Sequence, residues 1–342
     1  MRAFITGVAG PALTDEERQF LSEVQPWGLI VFKRNIGGPD PLRRLIDDFR
    51  ATVGRDAPVL IDQEGGRVQR LGPPYWPSYP PGAAYGELFD RDREIGLAAA
   101  WLGARLIAAD LAVLGIDVDC LPIADVPVAG ADPVVGDRAY GKCPGKVAAI
   151  AGAIARGLAD GGVLPVLKHI PGHGRATADS HEKLPVVSAD RATLNATDFA
   201  AFRPLAALPL AMTAHVVFSA FDPVAPATTS ARIVRDVIRD SIGFKGLLMS
   251  DDISMGALSG SLSERTGAAI AAGCDVVLHC NGKMPEMRAV AAAVPVLAGE
   301  AARRAAAALA MKRPAAPIDL AARRTEFFGL MTGTWQPAQG CA

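Results

Sequence analysis

The chain has 342 residues, 50% of them hydrophobic and 21% charged, with a mean hydropathy of +0.22, so material for a sizeable core is present and disorder of its bulk is excluded. Thirty-five basic against 36 acidic side chains leave a formal charge of -1, which supplies no global field for phosphate backbones or anionic lipid; neither nucleic acid nor a membrane is an expected partner. One closed α/β barrel or two smaller domains both fit this length.

The opening MRAFITGVAG has one Arg and a short apolar run followed by acidic TDEERQ, which is not a secretory pattern, so a cytoplasmic location is expected. Residues 3–8 read as a strand, and Thr14 with Glu17 three residues later reads as a capping box opening a helix. Strands follow at 29–32, 59–62, 116–123, 164–169, 210–215, 247–250 and 275–279. Between them, helical spacing covers 42–53, 94–114, 147–160, 191–208, 231–242 and 262–272. The most apolar span, 95–115, carries Arg105 and Asp110 near its middle and reads as a buried helix. Near-continuous apolar strands alternating with helices indicate a parallel sheet, and eight strands is the barrel number. No repeat or long linker interrupts the pattern. The expectation is a single-domain α/β protein, a (β/α)8 TIM-type barrel over residues 1–310, with 311–342 as a tail packed on it or frayed from it and without catalytic duty.

Five cysteines without a CxxC pair, in a chain of this size, read as reduced and mostly buried thiols, with Cys120 and Cys274 beside apolar strands. The polar residues are more informative, because nearly every strand ends in a chemically able group, as expected of the active face of a barrel. Strand three ends in Asp62 and runs through Gln63-Glu64-Gly65-Gly66-Arg67-Val68-Gln69-Arg70. The stretch from Lys168 to His181 holds three of the five histidines. His169 and His173 have the i,i+4 spacing of a zinc helix, but Pro171, Gly172 and Gly174 forbid a regular helix there, so no metal is assigned. A glycine-hinged, mobile loop carrying Asp179 and His181 would make an acid/base pair; a solvated loop histidine beside a turn aspartate is the plainer alternative. Asp251 and Asp252 end an apolar strand, so one is expected to face the barrel axis, unless one simply caps the turn beginning near Ser254.

Together, in this order, five motifs resemble glycoside hydrolase family 3, specifically its bacterial cytoplasmic β-N-acetylglucosaminidases of peptidoglycan recycling. They are the segment from Ile61 to Arg70, Gly136-Asp137-Arg138-Ala139-Tyr140-Gly141, the segment from Lys168 to His181, Met212-Thr213-Ala214-His215, and the run from Met249 to Met255. The resemblance implies a retaining exo-hydrolase that removes non-reducing terminal N-acetylglucosamine from muropeptides of the GlcNAc-anhydroMurNAc type. It implies Asp251 as nucleophile, His181 as acid/base and Asp179 as the residue orienting it. Asp62, Arg70, Arg138, Lys168 and His169 are implied as the sugar pocket. His215 and Met255 match as wall or supporting positions and Asp125 as support, while Glu64 and Arg67 read either as a structural ion pair supporting Asp62 or as ligand contacts. No cofactor is implied, and a monomer is expected. Ala139-Tyr140 and Glu182-Lys183-Leu184 depart slightly from the family pattern, which bears on aglycone preference. Competing readings are a phosphorylase releasing N-acetylglucosamine 1-phosphate, a β-glucosidase-type member, or a non-catalytic sugar-binding barrel.

Overall fold

The computed structural model describes residues 1–334. Eight strands close into a parallel barrel: β1 (Arg2–Thr6), β2 (Pro26–Val31), β3 (Val59–Ile61), β4 (Val118–Asp119), β5 (Leu164–Ile170), β6 (Leu210–Thr213), β7 (Leu247–Asp252) and β8 (Val276–His279). Each pairs with the next in sequence, and β8 closes onto β1 through Phe4↔Val277 and Ile5↔Leu278. All seven residues of β5 are buried, as a strand covered on both faces requires.

The cover is helical: α1 (Asp15–Val24), α2 (Pro39–Val53), α3 (Gly82–Arg91), α4 (Arg93–Ala112), α5 (Pro144–Asp160), α6 (Arg191–Ala196), α7 (Leu262–Ala272), α8 (Met284–Ala293), α9 (Gly299–Ala310) and α10 (Leu320–Thr332). α1 begins with the expected capping box, Thr14 Oγ1 accepting from the Glu17 amide at 3.1 Å while the Glu17 carboxylate accepts from the Thr14 amide at 2.8 Å. α2 buries Leu42, Leu45, Ile46, Phe49 and Val53, one face at helical spacing. α4 is the expected buried helix. Its two mid-helix charges are answered from the C-terminal segment: Arg324 of α10 meets Asp110, which also accepts from the Tyr79 hydroxyl at 2.7 Å, and Arg105 donates to the Ala316 carbonyl.

Four differences from the expected elements have physical causes. Strand 116–123 shrinks to two paired residues and a single further bridge, Ile123↔Lys168, because Pro122 offers no N–H to the ladder. Helix 191–208 ends at Ala196, where Thr197 and Asp198 turn out to meet Arg175, and continues as short 3-10 turns. Segment 231–242 winds as a π-type helix over Ile233–Ser241. α8 and α9 escaped the pattern because alanine-rich runs carry no strong apolar stripe, and α3 because two glycines dilute its signal.

Beyond the barrel, α10 packs on α4 with Phe327 fully buried beside Tyr79 and Tyr85. Residues 339–342, including Cys341, lie outside the described residues. The other four cysteines are free: Cys120 and Cys274 are buried, Cys280 is half-buried and Cys143 is exposed.

Candidate active site

At the carboxyl ends of the strands a cavity of about 380 Å³ opens, and Asp62, Arg70, Arg138, Lys168, His169, Asp179, His181 and Asp251 all line it. The eight come from segments up to 189 residues apart, between Asp62 and Asp251.

One wall is a lattice of opposite charges. Asp62 directly follows β3, and the chain then doubles back, Gln63–Gly65 pairing antiparallel with Val68–Gln69. Gly65 and Gly66 make this turn with φ of +94° and +56°, and a Cβ on Gly65 would stand 2.3 Å from the Pro80 carbonyl oxygen, so only glycine fits. The doubling brings Arg70 Nη2 to 2.9 Å from Asp62 Oδ2. Lys168, 2% exposed, donates to Asp62 Oδ1 at 2.9 Å and forms an ion pair with Glu64 Oε1 at 2.7 Å. Arg138 grips Glu64 with two parallel bonds of 2.8 Å. The expected Glu64–Arg67 pair is therefore incorrect: Arg67 reaches Asp137 and the carbonyls of Pro133 and Val134, because the hairpin turns it away from Glu64.

Burial pushes the Asp62 and Glu64 carboxyls up, but the adjacent cations outweigh it; Asp62 is held well below the usual carboxylate range and Glu64 at about 2. Lys168 and Arg138 in turn keep their own protons more tightly beside these carboxylates, and Lys168 stays charged despite its burial. Because the folded chain binds protons at Glu64 more weakly than the unfolded chain, this contribution to stability is present above about pH 4.5 and lost as pH falls towards 2. Thermal melts between pH 5 and 2 are expected to show a steep loss of Tm in the wild type and a shallower one in Glu64→Gln; parallel curves would contradict the assignment.

The Asp125 carboxylate supports the next sector. It accepts from His169 Nδ1 at 2.7 Å and from the His173 amide at 2.6 Å, so His169 carries its proton on Nδ1. Burial opposes charge on Asp125, yet the neighbouring imidazoles and amides bring its carboxyl to about 2. His173 is buried, with Nε2 3.0 Å from Ser180 Oγ, and desolvation lowers its pKa to about 4, which keeps it neutral. Among the described residues no group of three or more His, Cys, Asp and Glu is placed to hold a metal ion.

Asp179 Oδ1 accepts from both the amide (2.8 Å) and Nδ1 (2.7 Å) of His181. Desolvation of Asp179 is outweighed by these bonds, which lower its pKa, so the carboxylate is ionised and Nδ1 must donate. His181 Nε2 is left free on a ring whose side chain is 65% exposed. The loop expected to be mobile is docked, with the Ser180 and His181 carbonyls accepting from the amides of Ala257 and Gly256.

The two adjacent aspartates have separate tasks. Asp252 accepts from the Ser254 amide and hydroxyl and from the Cys280 amide, so both readings of the pair hold: one residue caps the turn. Asp251 Oδ1 accepts from the Asp252 amide at 2.8 Å, and Oδ2 has no hydrogen-bond partner among the described residues. Burial raises the Asp251 pKa, but His215 and His169 pull it down on balance, keeping the carboxylate ionised. Met255 lines the cavity, whereas His215 lies behind it, bonded to Thr228 and to the Asp252 carbonyl. Tyr140 is likewise structural, its hydroxyl accepting from the Ile123 amide.

Arg34 and Asn281 also line the cavity and were missed by sequence reasoning. Their signal was available, since both lie just past the ends of β2 and β8. The Arg34 guanidinium sits 4.9 Å from the Phe32 ring centre, and its Nε donates to the Val8 carbonyl. Of the five Arg and Lys lining the cavity, it has no carboxylate in ion-pair range among the described residues.

A free carboxylate, an imidazole poised by a second carboxylate, and a charged wall with fixed donors and acceptors suit polyhydroxylated ligands and displacement at an electrophilic carbon. Residues 5–309 match the family described as "Glycosyl hydrolase family 3 N terminal domain". The chain is 38% identical over 279 residues to a protein named Beta-hexosaminidase from Alkalilimnicola ehrlichii, covering 80% of this chain and 79% of that one. It is also 38% identical over 278 residues to a Beta-hexosaminidase from Aromatoleum aromaticum, with 80% and 78% covered. The fold is similar to that of NagZ from Neisseria gonorrhoeae in complex with N-trifluoroacetyl-D-glucosamine, with a TM-score of 0.84, 30% identity, and 97% and 96% of the two chains covered.

Proposed function

The chain belongs to glycosyl hydrolase family 3 and is a glycoside hydrolase; from that premise we propose that it is a retaining exo-β-N-acetylglucosaminidase working by double displacement. Asp251 Oδ2 attacks the anomeric carbon as the bond from C1 to the leaving oxygen breaks, and protonated His181 delivers its Nε2 proton to that oxygen. In the second step His181 Nε2 removes a proton from water, which attacks C1 and releases the Asp251 carboxylate. Asp179 holds the ring in the tautomer that leaves Nε2 for both transfers. The observation that carries this reading is that a partnerless carboxylate oxygen and the Asp179–His181 pair face one cavity. Most glycosidases use two carboxyl groups here; an imidazole with an unperturbed pKa of ~6.5 needs less burial to be poised for the same work.

In this reading Asp62, Arg70, Arg138, Lys168 and His169 hold the terminal sugar through its hydroxyl and acetamido groups, with Arg138 acting chiefly through Glu64. The gonococcal complex with N-trifluoroacetyl-D-glucosamine supports an N-acylated glucosamine in the pocket. The family resemblance supports a muropeptide as substrate and the cytoplasm as the place of action. Phosphate as the second acceptor is favoured by one observation, the Arg34 cation without a carboxylate partner.

Incubation with 5-fluoro-N-acetylglucosaminyl fluoride followed by peptide mapping tests the proposal. The expected result is one labelled peptide, modified at Asp251, and free N-acetylglucosamine as the turnover product in phosphate buffer. A label on another residue would overturn the nucleophile, and N-acetylglucosamine 1-phosphate as main product would replace water as acceptor.

A further inference from the structure

The turn that follows β7 is built rigidly. Asp252 holds it from inside through Ser254 and Cys280, the Met255 amide donates to the Asp252 carbonyl, and Arg265 Nη1 from α7 donates to the carbonyls of Ile253 (3.3 Å) and Met255 (3.1 Å). Against this brace lies the loop carrying His181. The Gly256 amide donates to the His181 carbonyl at 3.0 Å and the Ala257 amide to the Ser180 carbonyl at 3.1 Å. A Cβ at position 256 would stand 2.6 Å from the Glu182 carbonyl oxygen and 2.8 Å from that of His181, closer than real contacts allow, and both obstacles are backbone. Gly256 is not among the glycines with positive φ, so no left-handed backbone demands glycine there, and the three nearest conflicts are all with the docked loop.

We propose that Gly256 is a positioning residue of the reaction: its missing side chain lets the turn after the nucleophile's strand seat the His181 loop, so one braced piece of backbone sets acid/base against nucleophile. The proposal rests on His181 being the acid/base. Asp252, which also lines the cavity, holds this seat from inside. Glu182, Lys183 and Leu184, which continue the loop, are exposed, so a bulkier residue at 256 lifts the loop away from the barrel without opening the core. Misplacing a reacting group by about 1 Å costs on the order of 10²-fold in rate.

The test compares Gly256→Ala, His181→Ala and a control, Gly267→Ala, where a Cβ meets nothing within 4 Å. Each is assayed on aryl N-acetylglucosaminides with strongly and weakly acidic phenols as leaving groups, with and without azide. Loss of the acid should hurt the weakly acidic phenol most, because it needs protonation to leave. Azide needs no base to attack C1 of the glycosyl-enzyme and release Asp251, so it should rescue the second step on the good leaving group. In kcat/KM, which reads formation of the glycosyl-enzyme, Gly256→Ala is expected to reproduce the His181→Ala pattern in weaker form, with about 10- to 100-fold loss on the poor leaving group and about 3-fold or less on the good one; kcat on the good one falls as the water step slows and azide restores it, while affinity for free N-acetylglucosamine and the cooperative melt are unchanged. The control should match wild type. If His181→Ala loses equally on both phenols, the acid/base reading falls, and this proposal with it. If His181→Ala discriminates and Gly256→Ala does not, the seat alone is refuted. A Gly256→Ala protein that fails to melt cooperatively or to bind N-acetylglucosamine also refutes it, because the clash is assigned wholly to an exposed loop.

Discussion

Replacing Asp251 with Asn is expected to lower kcat by at least about four orders of magnitude on every N-acetylglucosaminide, whatever its leaving group. A loss of that size corresponds to roughly 5.5 kcal/mol of transition-state stabilisation, in the range seen when a covalent nucleophile is removed. The asparagine keeps the shape of the side chain, and its oxygen can still accept from the Asp252 amide, so the fold should be little changed. What disappears is the anionic Oδ2 that forms the bond to C1. Unlike His181→Ala, the loss should not shrink for acidic phenols, because every leaving group, good or poor, departs in the same step in which Oδ2 bonds to C1. Steady-state rates on matched aryl glycosides and loss of the 5-fluoro label check both points. A purified variant keeping more than about 1% of wild-type kcat would remove Asp251 from the nucleophile's place.

The second large effect is on stability. Lys168→Met, of similar length and apolar, is expected to cost about 3–5 kcal/mol at neutral pH, because it removes the cation shared by two buried carboxylates. Asp62 keeps Arg70 and Glu64 keeps Arg138, but neither arginine reaches both acids, and the mutual repulsion that Lys168 screens is left uncompensated. Without it both carboxyl pKa values move up, so the penalty should be largest near pH 7 and shrink as pH falls and the acids protonate. Urea unfolding of wild type and variant at pH 7 and near pH 4 reads this directly. A difference below about 1 kcal/mol at pH 7 would mean that the lattice is not held by this lysine. Sugar affinity should fall as well, since Asp62 loses the partner that fixes its orientation.

Much of this protein was legible in one dimension because the relevant signals are local. Strand and helix periodicities, the Thr14–Glu17 cap and the polar residue at each strand's carboxyl end depend on neighbours a few positions away, and a parallel barrel converts that recurrence into a shared face. All eight site residues named from motifs line the same cavity. Pairing was different. Glu64 and Arg67 stand three positions apart in the motif, yet the two-glycine turn between them sends Arg67 to Asp137 and delivers Glu64 to Arg138 and Lys168, residues far along the chain. Residue type and spacing left Asp251 and Asp252 equivalent, and only the family resemblance singled out Asp251; in space the residue after β8 separates them, the Cys280 amide going to Asp252 while Oδ2 of Asp251 has no partner among the described residues. The docking of the His181 loop onto Gly256 was equally invisible, because it consists of backbone hydrogen bonds between distant segments that no side-chain pattern encodes. Composition and spacing thus determined the barrel and its reactive rim. Which charges neutralise each other, and which groups stay free to react, was decided only when folding set long-range distances, since Coulomb and hydrogen-bond energies depend on separation in space and not on separation along the chain.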